Sequence, residues 1–131
     1  MAKHGTSLEE KRVVFIVDDD PAVLHSLKFV LELEGYAVFV YRDASEVLAA
    51  ATLSERGCLV VDYNLPDMNG MDMVAKLRAR GITTPAVLIT SDPGEALVRR
   101  AAEANIEIIE KPLLGNTLGK AIDAVFEGSR P

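Results

Sequence analysis

Five short apolar runs, each ending in a polar cluster, constrain this chain more than any other feature. Val13 to Val17 stops at Asp18-Asp19-Asp20, and Ala37 to Tyr41 forms a second run. Cys58 to Val61 stops at Asp62, Ala86 to Ile89 at Thr90-Ser91, and Ile106 to Ile109 at Glu110-Lys111-Pro112. Runs apolar on both faces predict strands buried on both sides, as parallel strands are. The longest is strand-sized, well short of the ~20 residues a membrane-spanning helix needs.

Amphipathic stretches separate the runs. Pro21 to Glu34 sets Val23, Leu24, Leu27, Val30 and Leu31 on one helical face. Asp20 suits the N-cap, Pro21 the first helical position and Gly35 the C-terminal stop. Further helices are expected over Ala44 to Thr52 after Asp43, Met71 to Arg80 before Gly81, Pro93 to Ala104 after Asp92, and Leu118 to Phe126 before Gly128. Strand and helix therefore alternate five times, which predicts an α/β fold with a parallel sheet, right-handed crossovers and helices on both faces. A polar segment over 1–12, a folded unit over 13–127 and a short tail over 128–131 are the expected divisions.

At 131 residues the chain holds one domain's worth of sequence. Twenty acidic against 14 basic residues give a charge of −6, which argues against gripping a nucleic-acid backbone or an acidic membrane surface. The single cysteine, Cys58, excludes an internal disulfide and fits a reducing, cytoplasmic setting. Residues 1–12 lack the apolar core of a secretory signal.

Ligands of open α/β sheets bind beyond the carboxyl ends of the strands, where the strand order reverses. If the strand order is 2-1-3-4-5, the run ends Asp18-Asp19, Asp62, Thr90 and Lys111 would converge on one edge. Three carboxylates so close require raised pKa values or a cation. Their hard oxygens favour Mg²⁺, Mn²⁺ or Ca²⁺. A carboxylate can attack phosphorus, an ammonium can pair with a phosphoryl oxygen, and a hydroxyl can sit beside it.

These pieces resemble the response-regulator receiver domain of two-component signalling. The matching segments are Val17-Asp18-Asp19-Asp20, Val61 through Gly70, Ile89-Thr90-Ser91 and Glu110-Lys111-Pro112, in that order across nearly the whole chain. The resemblance implies a flavodoxin-like, doubly wound (βα)5 fold. It implies phosphorylation of Asp62 by a histidine kinase or histidine phosphotransfer protein. Mg²⁺, with Mn²⁺ as a substitute, would be held by Asp19, Asp62 and the Asn64 backbone carbonyl, and by Asp18 through water. Thr90 matches the switch hydroxyl and Lys111 the phosphate-pairing lysine, with a cis bond to Pro112. Such a domain is a phosphoacceptor that assists its own phosphorylation and dephosphorylation, not an enzyme. The expectation is a stand-alone receiver that switches its contact with an unidentified downstream protein, with a homodimer through the fourth helix, fifth strand and fifth helix as a further expectation.

Ile108 departs from the family, which usually carries Tyr or Phe there, and Asn69 stands where Asp is commoner. Rival readings are a receiver-like scaffold that ignores phosphate, a fragment of a longer DNA-binding regulator, a hydrolase of small phosphate esters and a flavodoxin-like cofactor binder. Asn64, where a hydrolase would need an acid, counts against the hydrolase. The absence of a Gly-rich loop after the first run counts against the cofactor binder. The plainer expectations are an exposed His25, a buried inert Cys58, Met68, Met71 and Met73 in core packing, and a solvated Arg99-Arg100 pair.

Overall fold

The computed structural model describes residues 12–50, 53, 56–113 and 116–128. Its strands are β1 (Val13–Val17), β2 (Ala37–Tyr41), β3 (Cys58–Asp62), β4 (Ala86–Thr90) and β5 (Glu107–Glu110). All pairings are parallel, in the order β2-β1-β3-β4-β5. The helices are α1 (Pro21–Leu33), α2 (Ala44–Ala49), α3 (Gly70–Ala79), α4 (Glu95–Glu103) and α5 (Thr117–Gly128).

Two apolar layers sandwich the sheet. Leu24 and Leu31 of α1 pack with Leu118, Ile122 and Phe126 of α5 against Val14, Ile16, Val60 and Ile89. Val47 of α2, Met73 and Leu77 of α3 and Ala101 of α4 pack against Val17, Leu59, Val61 and Leu88. Strands apolar on both faces are what such a sandwich requires. Met71 and Met73 are buried and Met68 packs beside them, as expected. Cys58 is buried in β3, where burial pushes its thiol up to about 12 and leaves it protonated at neutral pH.

The helix starts follow local chemistry at α1, α2 and α3, the last capped by Asn69. Asp20 accepts the Ala22 amide ahead of Pro21, and Asp43 accepts the Glu46 amide. Gly35 and Gly81 follow α1 and α3 with positive φ, the conformation that ends a helix. The start of α4 differs from the expectation. Its N-cap is Gly94, without a side-chain cap, so Asp92 and Pro93 precede the helix. The second helix stops at Ala49 because Ala50 is extended; Ala51 and Thr52 lie outside the described residues, as do 1–11 and 129–131.

Two burial expectations also need correction. Val30 is 48% exposed, because α1 buries a narrower stripe of Leu24, Leu27 and Leu31. Phe39 and Val40 are exposed on β2, which has a neighbour on one side only. His25 is exposed, as the helix pattern predicts. No helix among the described residues is long and apolar enough to cross a membrane.

Candidate functional site

The parallel register carries the polar run ends to one edge. Asp18 follows β1, Asp62 closes β3 beside Ile89 of β4, and Thr90 closes β4 opposite Glu110. The Lys111 amide donates to the Thr90 carbonyl at 2.8 Å, and the Tyr63 amide donates to the Ile89 carbonyl at 2.8 Å. Asp18, Asp62 and Thr90 are buried, while Asp19 is exposed. Carboxylate oxygens of Asp18, Asp19 and Asp62 lie within 4.8 Å of one another. Lys111 Nζ stands 3.4 Å from Asp62 Oδ1, and the Lys111–Pro112 bond is cis.

At 4.8 Å two unit charges repel by about 3.5 kcal/mol at an effective dielectric of ~20. Three ionised carboxylates against one ammonium leave two negative charges uncompensated. A divalent cation with oxygen preference would match that deficit, and Asp18, Asp19, Asp62 and the Asn64 carbonyl are the residues that would hold it. Asn64 itself is exposed, and its amide faces Asp62 Oδ1 at 3.4 Å.

Asp18 shows the strain. Burial, foremost, raises its pKa above 3.8, the Asp62 and Asp19 charges add to the rise, and the Asp20 amide and Lys111 oppose it. Since the folded value is the higher one, the Asp18 contribution to stability is fully present below pH 3.8. It is lost as pH rises through the folded value. In EDTA, urea midpoints of the wild type should therefore fall relative to Asp18→Asn as pH rises from below 4. A difference that is flat or rises with pH would show that Asp18 is not held against its charge.

The loop after Asp62 is closed at its base. Asn64 and Asn69 form an antiparallel bridge, and the Gly70 amide donates to the Tyr63 carbonyl at 2.8 Å. Asn69 caps α3 through the Asp72 amide and donates its side-chain amide to Asp72. Arg100 of α4 pairs with the same Asp72 at 2.8 Å, so it is not the merely solvated residue its sequence position suggests. Sequence reasoning missed this link and also missed Asp67, whose carboxylate reaches Ala44 and Ser45 of α2. Neither has a local signature, because the partners lie 28 and 22 residues away or more.

The family model for the response regulator receiver domain matches residues 14–123. The chain belongs to this family. A receiver domain's five-stranded order and flavodoxin-like architecture are thereby those found here. Among curated relatives, the transcriptional regulatory protein FixJ of Rhizobium meliloti is 34% identical over 115 residues, covering 87% of this chain and 56% of the relative. The response regulator protein TodT of Pseudomonas putida is 30% identical over 116 residues, covering 88% and 51%. The crystal structure of FixJ-N aligns with a TM-score of 0.80 and 32% identity, covering 92% of this chain and 98% of that one. This receiver spans about half the length of the curated relatives it matches.

Proposed function

We propose that this receiver domain accepts a phosphoryl group on Asp62 from the phosphohistidine of a histidine kinase or histidine phosphotransfer protein, in a Mg²⁺-dependent reaction. The observation that carries the reading is a buried carboxylate at a strand end, with an ammonium at 3.4 Å and two further carboxylates within 4.8 Å.

An Asp62 oxygen attacks phosphorus while the bond from phosphorus to the donor's imidazole nitrogen breaks. The nitrogen keeps the electron pair. A bound divalent ion supplies charge compensation for the phosphoryl oxygens and the carboxylates. Lys111 stands close enough to Asp62 to pair with an oxygen of the incoming group. Thr90, on the neighbouring strand end, offers a hydroxyl that follows the new charge. Water later attacks the same phosphorus and loses a proton, the bond from phosphorus to the Asp62 oxygen breaks, and the carboxylate is restored as inorganic phosphate leaves. The domain is in this reading a phosphoacceptor that assists both steps rather than an enzyme acting on a separate substrate.

Phosphorylation adds charge and acceptor oxygens at the sheet edge, and a two-state segment there shifts its population. The output is a changed protein–protein contact in the cytoplasm, with the α4–β5–α5 face as the surface for a second copy. Net charge of −6 disfavours direct nucleic-acid contact by this chain. A second reading, the receiver portion of a longer DNA-binding regulator, is favoured by the share of its relatives that this chain spans, 56% of FixJ and 51% of TodT.

The test is incubation with acetyl phosphate and Mg²⁺, followed by intact mass. One phosphoryl group should be gained, and EDTA should prevent the gain. No gain under conditions that label an ordinary receiver would favour a phosphate-independent scaffold, with Ile108 the first residue to examine.

A further inference from the structure

Asp67 lies at the tip of the loop that begins at Asn64, and its carboxylate is fully engaged elsewhere. Oδ1 accepts the Ala44 amide at 3.1 Å, and Oδ2 accepts the Ser45 amide at 2.9 Å and the Ser45 hydroxyl at 2.7 Å. The base of the same loop is closed on itself by the Asn64–Asn69 bridge and the Gly70-to-Tyr63 hydrogen bond, and the Tyr63 amide ties it to Ile89 of β4. Ala44 and Val47 anchor α2 in the core, both fully buried. The loop is thus pinned at one end to β3 and at the other to a helix that cannot drift.

We propose that Asp67 is a positioning residue for divalent-cation binding: it clamps the loop tip to α2 so that the Asn64 carbonyl is presented to the Asp18–Asp19–Asp62 cluster. The inference rests on the metal part of the function proposed above and adds a residue outside the ligand set. A carbonyl ligand on a loop loses affinity when the loop must be ordered at the moment of binding. Residues that orient a ligand by direct contact typically contribute 10–100-fold to affinity. Asp67 acts through two intervening residues, Leu65 and Pro66, so a smaller factor is expected.

Calorimetric titration of Mg²⁺ into the unphosphorylated chain tests this. Asp67→Ala should weaken binding by roughly 3–10-fold, below the direct-contact range. Asp67→Asn, which keeps one acceptor oxygen, should fall between it and the wild type. Acetyl phosphate labelling by Asp67→Ala should be slow at low Mg²⁺ and return to the wild-type rate at saturating Mg²⁺. Tyr36→Phe, which removes a hydrogen bond to Asp123 at the opposite end of the sheet, should lower stability and leave Mg²⁺ affinity unchanged. Unchanged affinity in a folded Asp67→Ala, or labelling that stays slow at saturating Mg²⁺, would overturn the assignment. If Asp67→Ala does not fold, Ser45→Ala removes one of the three bonds, and unchanged affinity there would overturn it instead. A wild type that binds Mg²⁺ with this variant pattern yet takes no phosphate would overturn the phosphotransfer reading and leave the clamp standing.

Discussion

Asp62→Asn should take up no phosphoryl group from acetyl phosphate under conditions that label the wild type fully. The substitution keeps the side chain's shape and removes its charge, so the fold around it has no reason to move. An amide oxygen lacks the nucleophilicity of a carboxylate toward phosphorus, and no intermediate forms. A second effect follows from the charge count at the site. Asp62 is one of three carboxylates whose oxygens lie within 4.8 Å, and ligand charge is what sets a hard cation's affinity. Mg²⁺ should therefore bind at least about tenfold more weakly to the variant, and Mg²⁺ should raise its melting temperature less. In EDTA the sign reverses. Removing one charge relieves repulsion with Asp18 and Asp19, so the variant should melt at or above the wild-type temperature. Intact mass settles the first expectation. A phosphoryl group that persists in Asp62→Asn would move the acceptor to another carboxylate of the cluster, with Asp19, the exposed one, examined first.

The reason this site was legible in the sequence lies in how parallel sheets are built. Each strand ends with its apolar run or one residue past it, so Asp18, Asp62, Thr90 and Lys111 are marked as lying at run ends by local pattern alone. What local pattern does not supply is which ends are neighbours. That depends on the order β2-β1-β3-β4-β5, which entered through resemblance to receivers rather than through periodicity. Caps divide the same way. Asp20 and Asp43 are adjacent in sequence to the helices they cap, and both were readable. Asp92 offered the same signal before α4, yet the helix begins at Glu95 after an uncapped, extended Gly94, and Asp92 and Pro93 stay outside it. Burial was over-read at the sheet's edge. Phe39 and Val40 look like core residues by composition, but an edge strand has a single partner and shorter cover. Asp67 and Arg100 were invisible for a third reason. Their partners, Ser45 and Asp72, become neighbours only after α2, α3 and α4 have packed on one face of the sheet.

Gly70→Ala should be among the most damaging single-methyl changes in this chain, and it should damage both fold and site. A β-carbon at Gly70 would stand 2.7 Å from the Asp62 carbonyl oxygen, 2.8 Å from Val61 Cγ1 and 3.0 Å from Leu88 Cδ1. The first of these is backbone of the central strand and cannot yield without shifting Asp62 itself. Val61 and Leu88 are sealed in the core, so they cannot swing aside either. The remaining response is for α3 to lift away from β3. That movement would stretch the Gly70-to-Tyr63 hydrogen bond and displace the loop carrying Asn64. Overpacking of this kind costs about 1–3 kcal/mol, occasionally more, which for a domain of this size lowers the melting temperature by several degrees or more. Acetyl phosphate labelling should slow along with it. Gly81→Ala provides the contrast. Nothing lies within 4 Å of a β-carbon there, and its φ of +81° makes the cost purely one of backbone conformation. That cost is about 1–2 kcal/mol. It falls at the far end of α3 from Asp62, so labelling should be unaffected. Equal melting losses with labelling impaired only in Gly70→Ala would show that close approach of α3 to β3 shapes the acceptor site. Wild-type labelling in a destabilised Gly70→Ala would confine that contact to stability.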